Sequence, residues 1–131
     1  MIRVGVIGIG VMGAGHARFI NNYIPNAEVI GISDINIEGM QLLANELKSI
    51  KFQSKNPEEI VQNPEVDALL IASPDQFHAE QIRLALKYKK PTLCEKPLAS
   101  TLVDARNIAK EIDEAEAALG KKLINIGFMA I

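Results

Sequence analysis

Three glycines stand between an apolar segment and an amphipathic one near the start of the chain, in the order Gly8-x-Gly10-x-x-Gly13. Ile2–Ile7 predict a buried strand before them, and Met12–Asn22 predict a helix after them. At such a junction the first glycine permits a tight turn, the second lets a ligand approach the backbone, and the third lets the helix pack against the strand. We therefore predict that a dinucleotide pyrophosphate binds at the helix N-terminus. A glycine-rich turn without a ligand is the alternative.

The alternation of strand and helix continues to the end of the chain. Further strands are predicted at Val29–Ser33, Lys51–Gln53, Val66–Ala72, Thr92–Cys94 and Leu123–Phe128. Helices are predicted over Ile37–Ile50, after Asn56-Pro57, after a capping box at Ser73–Gln76, and after Thr101, which can cap reciprocally with Asp104. Apolar strands that alternate with helices are typical of a parallel sheet covered on both faces. The sequence therefore predicts an α/β fold, a Rossmann three-layer α/β/α sandwich whose six-stranded, doubly wound sheet is mainly parallel.

The composition of the chain limits the kinds of partner and the cellular location that we expect for it. The 131 residues suffice for one domain, and the net charge of −2 provides no basic surface for nucleic acid. Apolar runs such as residues 68–72 are too short to cross a membrane. A single cysteine, Cys94, cannot form an internal disulfide, which favours a cytoplasmic location. Two histidines and one cysteine lie far apart, so we predict no metal site.

Asp34 follows the second strand, where an acidic side chain can bind the adenosine ribose hydroxyls. It lies 26 positions after Gly8, somewhat beyond the usual interval of about 20 residues. A carboxylate there would repel a 2′-phosphate, and Ile35 and Asn36 provide no arginine to bind one. NAD is therefore predicted rather than NADP. The alternative role for Asp34 is to cap the next helix. The predicted cofactor contacts on this side are Gly8, Gly10, Val11, Met12, Gly13, Asp34 and Ile35.

Two polar clusters follow the fourth and fifth strands, at the sheet edge where open α/β folds bind ligands. One is Ser73-Pro74 with His78, and the other is the loop Glu95-Lys96-Pro97. The Lys96 ammonium could donate to a substrate oxygen and stabilise negative charge on it. A solvated loop is the alternative. Elsewhere, His16 is predicted to pack or to cap a helix, and Cys94 to be a small core residue and not a nucleophile.

These segments resemble the family of glucose-fructose oxidoreductase, inositol 2-dehydrogenase and rhizopine-catabolism MocA proteins. The resemblance covers nearly the whole chain and rests on Gly8–Gly13 with His16, Asp34, Ser73-Pro74 with His78, Cys94–Ala99 and Ile126–Met129. The Glu-Lys-Pro loop is its most specific element, because ordinary Rossmann dehydrogenases lack it. The resemblance implies that Lys96 is catalytic and contacts both the nicotinamide ribose and the reacting oxygen. It also implies that Glu95 lies beside the cofactor, that Pro97 shapes the loop through a cis bond, and that the nicotinamide side is lined by Ser73, Pro74 and His78.

The chain departs from the family in two respects. We expect residues 1–131 not to include the family's second domain, an α+β substrate and oligomerisation domain that supplies an acid and a histidine for proton transfer. Ala130-Ile131 also stand where arginines usually follow Phe128-Met129. We therefore expect residues 1–131 to be a dinucleotide-binding domain that binds NAD without turnover.

In the full-length protein, expected to be a homo-oligomer, a hydride would move between NAD and a hydroxyl carbon of a sugar, inositol or related polyol. Two alternatives remain: a non-catalytic, redox-sensing nucleotide-binding module, and a methyltransferase that binds S-adenosylmethionine.

Overall fold

The computed structural model describes residues 1–127, in which strands and helices alternate along the chain. The strands are β1 Ile2–Ile7, β2 Ala27–Ser33, β3 Phe52–Ser54, β4 Ala68–Ile71, β5 Thr92–Glu95 and β6 Ile124–Gly127. The α-helices are α1 Val11–Tyr23, α2 Ile37–Glu46, α3 Pro57–Val61, α4 His78–Lys87 and α5 Leu102–Leu119. One turn of 3-10 helix, Asp75–Phe77, immediately precedes α4.

All the strands pair in parallel, in the order β3-β2-β1-β4-β5-β6. The chain therefore builds the sheet outward from β1 in one direction, then returns to β4 and continues in the other. This reversal leaves a crevice between the carboxyl ends of β1 and β4, the position at which doubly wound sheets bind ligands. The predicted fold class is confirmed.

Two apolar cores cover the two faces of the sheet. On one face α1 and α2 pack through Ala17, Ile20, Met40 and Leu43. On the other face α3, α4 and α5 pack through Ile60, Val61, Ile82, Ala85, Ile108 and Ile112. Each fully buried isoleucine stabilises the fold by roughly 1.5–3 kcal/mol relative to an exposed one. The helices are thus packed against both faces of the sheet by apolar contacts.

Several element boundaries differ from the predictions. Helix α2 ends at Glu46 and not at Ile50, because the Ser49 hydroxyl donates to the Val29 carbonyl oxygen at 2.6 Å and draws the chain back towards β2. Strand β4 spans four residues and not seven. Strand β6 begins at Ile124. The predicted continuation of this strand into Phe128 lies outside the described residues, as does Met129.

Three helices begin at a polar side chain that accepts a backbone N–H. Asn36 accepts from Gly39 at 3.0 Å, Asn56 from Glu58 at 3.0 Å, and Thr101 from Asp104 at 3.1 Å. The caps predicted at Asn56 and Thr101 are therefore confirmed. None of the helices within residues 1–127 combines the length and the apolar character that a membrane span requires.

Candidate functional site

The loops that follow β1, β2, β4 and β5 meet at the carboxyl edge of the sheet, because all strands run in the same direction. Hydrogen bonds join their strand ends. The Gly8 N–H donates to the Ser33 carbonyl at 2.8 Å, and the Ala72 N–H donates to the Ile7 carbonyl at 2.7 Å. The segments after β1, β2 and β4 that were singled out in the sequence are therefore adjacent at this edge.

Each glycine of the first loop has a different reason to be glycine. Gly8 has a φ of 91°, and a Cβ there would lie 2.6 Å from the backbone nitrogen of Ser73. A Cβ on Gly13 would lie 1.8 Å from the Gly8 carbonyl oxygen. Both positions thus require glycine for the protein's own packing. Gly10 has no such requirement: nothing lies within 4 Å of a Cβ placed there, and the residue is exposed.

The N-terminus of α1 differs from those of α2, α3 and α5. Gly10 occupies its N-cap position, so no side chain accepts the first N–H groups, and the first turn contains no acidic residue. The Val11 and Met12 side chains that flank it are exposed. The first N–H groups, which have no partner within the helix, and the positive end of the helix dipole therefore lie at an exposed helix end, an arrangement that binds phosphate.

Asp34 links the second strand to the glycine loop. Its Oδ2 accepts the Ile9 N–H at 2.9 Å, and its Oδ1 accepts the Asn36 N–H at 2.8 Å. The alternative role, as cap of the next helix, is not adopted, because Asn36 caps α2. Each carboxylate oxygen keeps a second lone pair, so Asp34 can also accept from a ribose hydroxyl. The neighbouring Ile35 side chain is 83% exposed at this edge.

The capping box predicted in the loop after β4 is wrong. The Ser73 hydroxyl donates to the Gln81 side-chain oxygen and not to the backbone of the next turn. Pro74 instead begins the 3-10 turn, and α4 starts only at His78. Pro74 is exposed, and the backbone of Ser73 lies close to Gly8.

The loop after β5 presents Lys96 to solvent from a fixed backbone. The Lys96 N–H donates to the Gly127 carbonyl at 3.2 Å, and the Lys96–Pro97 peptide bond is cis, as the resemblance implies. The Glu95 side chain points back into the protein. Its Oε1 lies 2.5 Å from the Nε2 atom of His16, and the side chain is 15% exposed.

His78 does not reach the surface that it was expected to line. Its ring is buried, with Nδ1 2.7 Å from the Pro97 carbonyl oxygen and Nε2 2.7 Å from the Ser73 carbonyl oxygen. Both ring nitrogens are thus occupied by the protein. The residue joins the loop after β4 to the loop after β5, and any effect on a bound cofactor acts through those loops.

His16 and Cys94 occupy the core. His16 is fully buried and does not cap a helix, so the packing role is confirmed. Its contact with Glu95 could not be read from the sequence, since the two residues lie 79 positions apart. Burial, reinforced by the charge of Glu95, raises the pKa of the Cys94 thiol to about 12, which suits a core residue and not a nucleophile. In the described region, no three His, Cys, Asp or Glu side chains cluster to hold a metal.

The surface fits a dinucleotide on two structural grounds. Open space lies over Gly10 at the α1 N-terminus, which no side chain caps. The backbone N–H groups at Val11, Met12 and Gly13 would hold the pyrophosphate, and Asp34 would accept from a ribose hydroxyl.

Comparison with known proteins agrees with this geometry. A family profile described as an oxidoreductase family with an NAD-binding Rossmann fold, GFO_IDH_MocA, matches residues 2–122. Inositol 2-dehydrogenase of Agrobacterium fabrum is 36% identical over 128 residues, which are 98% of this chain and 37% of that protein. Inositol 2-dehydrogenase of Paracoccus denitrificans is 37% identical over the same shares. The chain thus spans little more than a third of these relatives.

Solved structures show the same relationship. The myo-inositol dehydrogenase of Lactobacillus casei in complex with NAD(H) and myo-inositol has a TM-score of 0.87 and 31% identity, over 97% of this chain and 36% of that one. The scyllo-inositol dehydrogenase of the same species with bound NAD(H) and scyllo-inositol has a TM-score of 0.87 and 25% identity, over the same shares. The chain therefore belongs to the Gfo/Idh/MocA oxidoreductase family and comprises its NAD-binding Rossmann fold.

Proposed function

We propose that this chain binds NAD in preference to NADP, and that the protein carrying it transfers a hydride between the nicotinamide and a hydroxyl carbon of inositol or a related polyol. The observation that carries the proposal is the α1 N-terminus at Gly10, uncapped and open to a ligand. The Asp34 carboxylate beside this loop accounts for the preference, since it would repel a 2′-phosphate. The relatives named above are inositol dehydrogenases, which supports the substrate class.

The residues divide between the two ends of the cofactor. Gly8, Gly10 and Gly13 shape the pyrophosphate site, with N–H groups supplied from Val11 and Met12. Asp34 and Ile35 form the adenosine end. The nicotinamide end is bordered by Ser73, Pro74 and Lys96 and by the backbone of Glu95, whose side chain is turned towards His16, with the buried His78 ring beneath it.

The chemistry of the site follows from charge. A nicotinamide held at this end would supply the chemistry of hydride transfer. Lys96 holds an ammonium group on an exposed turn whose backbone is fixed by β6. When a hydroxyl carbon loses a hydride, its oxygen must shed a proton, and a cation beside that oxygen stabilises the negative charge that develops. The relatives are longer than this chain and have room for a second domain. In this proposal that second domain completes proton transfer and assembles the protein into a homo-oligomer. The chain by itself then binds cofactor without turnover.

Calorimetric titration tests the cofactor assignment. We expect NADH to bind, NADPH to bind more weakly, and S-adenosylmethionine not to bind. Gly10→Val should abolish NADH binding, because its side chain would occupy the open space over the helix N-terminus. Gly15→Ala is the matched control, since Gly15 also has nothing within 4 Å of its Cβ position but lies within α1. No NADH binding at millimolar concentration would refute the proposal.

Turnover tests the enzyme assignment in the full-length protein. We expect NAD reduction in the presence of myo-inositol or another polyol. Lys96→Ala should reduce turnover about a hundredfold, the scale reported for loss of one group that stabilises charge in a transition state. NADH affinity should fall only about fivefold, the loss expected for one hydrogen bond to the cofactor. A full-length protein that binds NADH but oxidises no polyol would instead be a redox-sensing module.

A further inference from the structure

The chain contains two histidines, and both are buried and contact residues adjacent in sequence to the exposed Lys96. His16 lies on α1, the helix of the pyrophosphate site, and contacts the side chain of Glu95. His78 begins α4 and contacts the carbonyl of Pro97. The residues immediately before and after Lys96 are therefore each held by a buried imidazole.

The His16 contact has no evident purpose other than holding Glu95. Nε2 lies 2.5 Å from the Glu95 Oε1, whereas Nδ1 is buried and has no hydrogen-bond partner in the described part of the chain. A buried polar atom without a partner destabilises the fold. An apolar side chain would avoid that cost but would leave the Glu95 carboxylate, which is only 15% exposed, without this partner, so the contact with Glu95 is what explains a histidine at this position.

The His78 contacts join two loops. Its Nε2 lies 2.7 Å from the Ser73 carbonyl oxygen and its Nδ1 lies 2.7 Å from the Pro97 carbonyl oxygen. Carbonyl oxygens only accept, so each contact is a hydrogen bond only when the facing nitrogen carries a proton. The imidazolium form donates to both carbonyls, and the neutral form donates to one at a time.

We propose that His16 and His78 are positioning residues that fix the Glu95-Lys96-Pro97 turn relative to the dinucleotide site. His16 acts from the helix that binds the pyrophosphate, and His78 acts from the loop that ends at Ser73. Through them the position of Lys96 is tied to the elements that hold the cofactor. This inference rests on the proposed function, because it assigns the turn to the nicotinamide end.

Two ligands separate this role from a purely structural one. NADH reaches both ends of the site, whereas ADP has only the adenosine and the diphosphate and does not reach the turn. A displaced turn should weaken NADH and spare ADP. General damage to the fold should weaken both ligands alike. Both are measured by calorimetry on the chain and its variants, with thermal unfolding recorded for each.

Amide side chains allow matched substitutions at His78. Asn places an amide nitrogen where Nδ1 stands and keeps a donor to the Pro97 carbonyl. Gln places one where Nε2 stands and keeps only the donor to the Ser73 carbonyl. We expect His78→Gln to weaken NADH binding about fivefold and His78→Asn to retain it, since one hydrogen bond accounts for a factor of about this size. ADP binding should stay within about twofold in both variants on the same scale.

A second pair at His16 keeps the test decisive if His78→Gln does not fold. His16→Gln retains a donor at the Nε2 position, and His16→Leu removes it. We expect only His16→Leu to lose NADH affinity selectively. In a Lys96→Ala background, neither His78→Gln nor His16→Leu should weaken NADH further, because residues that act through a common partner are not additive.

The outcomes distinguish the two hypotheses. Equal losses of NADH and ADP, unchanged NADH binding, or full losses that persist in the Lys96→Ala background would overturn the positioning role while leaving the proposed function in place. If the unmodified chain bound neither NADH nor ADP, the proposed function would fail, and the positioning role with it.

Discussion

The carboxylate of Asp34 accepts the backbone N–H of Ile9 at 2.9 Å, so the end of β2 is joined to the middle of the glycine loop. The same side chain accepts the N–H of Asn36 at 2.8 Å, which fixes its own rotamer. Asp34 therefore has two separable properties: hydrogen bonds that shape the glycine loop and a negative charge beside the adenosine end. Substitutions can isolate each of them.

Asp34→Asn should change cofactor preference more than it changes structure. The amide oxygen can still accept from Ile9 and only the bond from the Asn36 N–H is given up, whereas the charge that disfavours a 2′-phosphate is lost. We expect the ratio of NADH to NADPH affinity to fall about tenfold, the equivalent of about 1.4 kcal/mol. Parallel titrations with the two cofactors measure it. Asp34→Ala, which removes the acceptor as well, should weaken the binding of both cofactors. An unchanged ratio of NADH to NADPH affinity in Asp34→Asn would show that the charge does not select the cofactor.

Substitutions of the glycines in the first loop should fall into two classes by their effect on the free energy of unfolding. Gly13→Ala must displace the Gly8 carbonyl, and Gly8→Ala places a Cβ against Ser73 at a positive φ. Each should destabilise the fold by about 1–3 kcal/mol or more. Gly10→Ala should leave the unfolding free energy within about 0.5 kcal/mol, because nothing surrounds that position. Urea denaturation measures all three, and a large destabilisation by Gly10→Ala would contradict the assignment of this space to a ligand.

The order of elements was predictable from the sequence because each strand and helix is encoded locally. Apolar runs mark β1, β2 and β4, and the caps at Asn56 and Thr101 mark the starts of helices. The glycine loop was predictable for the same reason, since its three glycines and flanking elements are contiguous. In a parallel sheet, the carboxyl ends of the strands then meet at one edge, which places Asp34 beside that loop.

Contacts between distant residues were not predictable in the same way. The His16–Glu95 pair spans 79 positions, and the early end of α2 depends on a hydrogen bond from Ser49 to Val29. The conformation of the loop after β4 also depends on such a contact, because the Ser73 hydroxyl donates to the Gln81 side chain and does not cap a helix. Such choices depend on which atoms the fold brings together, and a local pattern does not contain that information.

Cys94 should be inert in the native protein. Burial raises the pKa of its thiol to about 12, and the thiolate is the form that reacts. At pH 8 only about one thiol in ten thousand would then be ionised, by the usual titration relation. We expect no labelling by a thiol reagent at pH 8 under native conditions and rapid labelling in urea. Labelling of the folded chain within minutes would show that the β5 end opens readily.

Glu116 should stabilise β6, and through it the backbone at Lys96, in a manner that depends on pH. Its Oε2 accepts the N–H groups of Leu123 and Ile124 at 2.6 and 2.9 Å, just before β6 pairs with β5. The hydrogen bond from Ile124, with further contributions from Leu123 and the charge of Lys122, holds the pKa of this carboxyl below its ordinary value despite partial burial.

The sign of the pH effect follows from this lowered pKa. The folded state binds the proton less readily than the unfolded state does. The stabilisation is therefore complete above the unfolded pKa of a glutamate and is lost as the pH falls through the lower, folded value. Glu116→Gln should destabilise the chain at pH 7 by about 1 kcal/mol, the lower end for bonds to a charged group because the site is partly exposed.

Urea denaturation of both proteins at pH 7 and at acid pH measures this effect. The difference between them should shrink as the pH falls, because protonation gives the native side chain the same charge as glutamine. Glu114→Gln, on the same helix and paired only at 3.9 Å with Lys110 among the described residues, should change stability little at either pH. A difference at Glu116 that persisted unchanged into acid would mean that the shape of the side chain, and not its charge, holds β6.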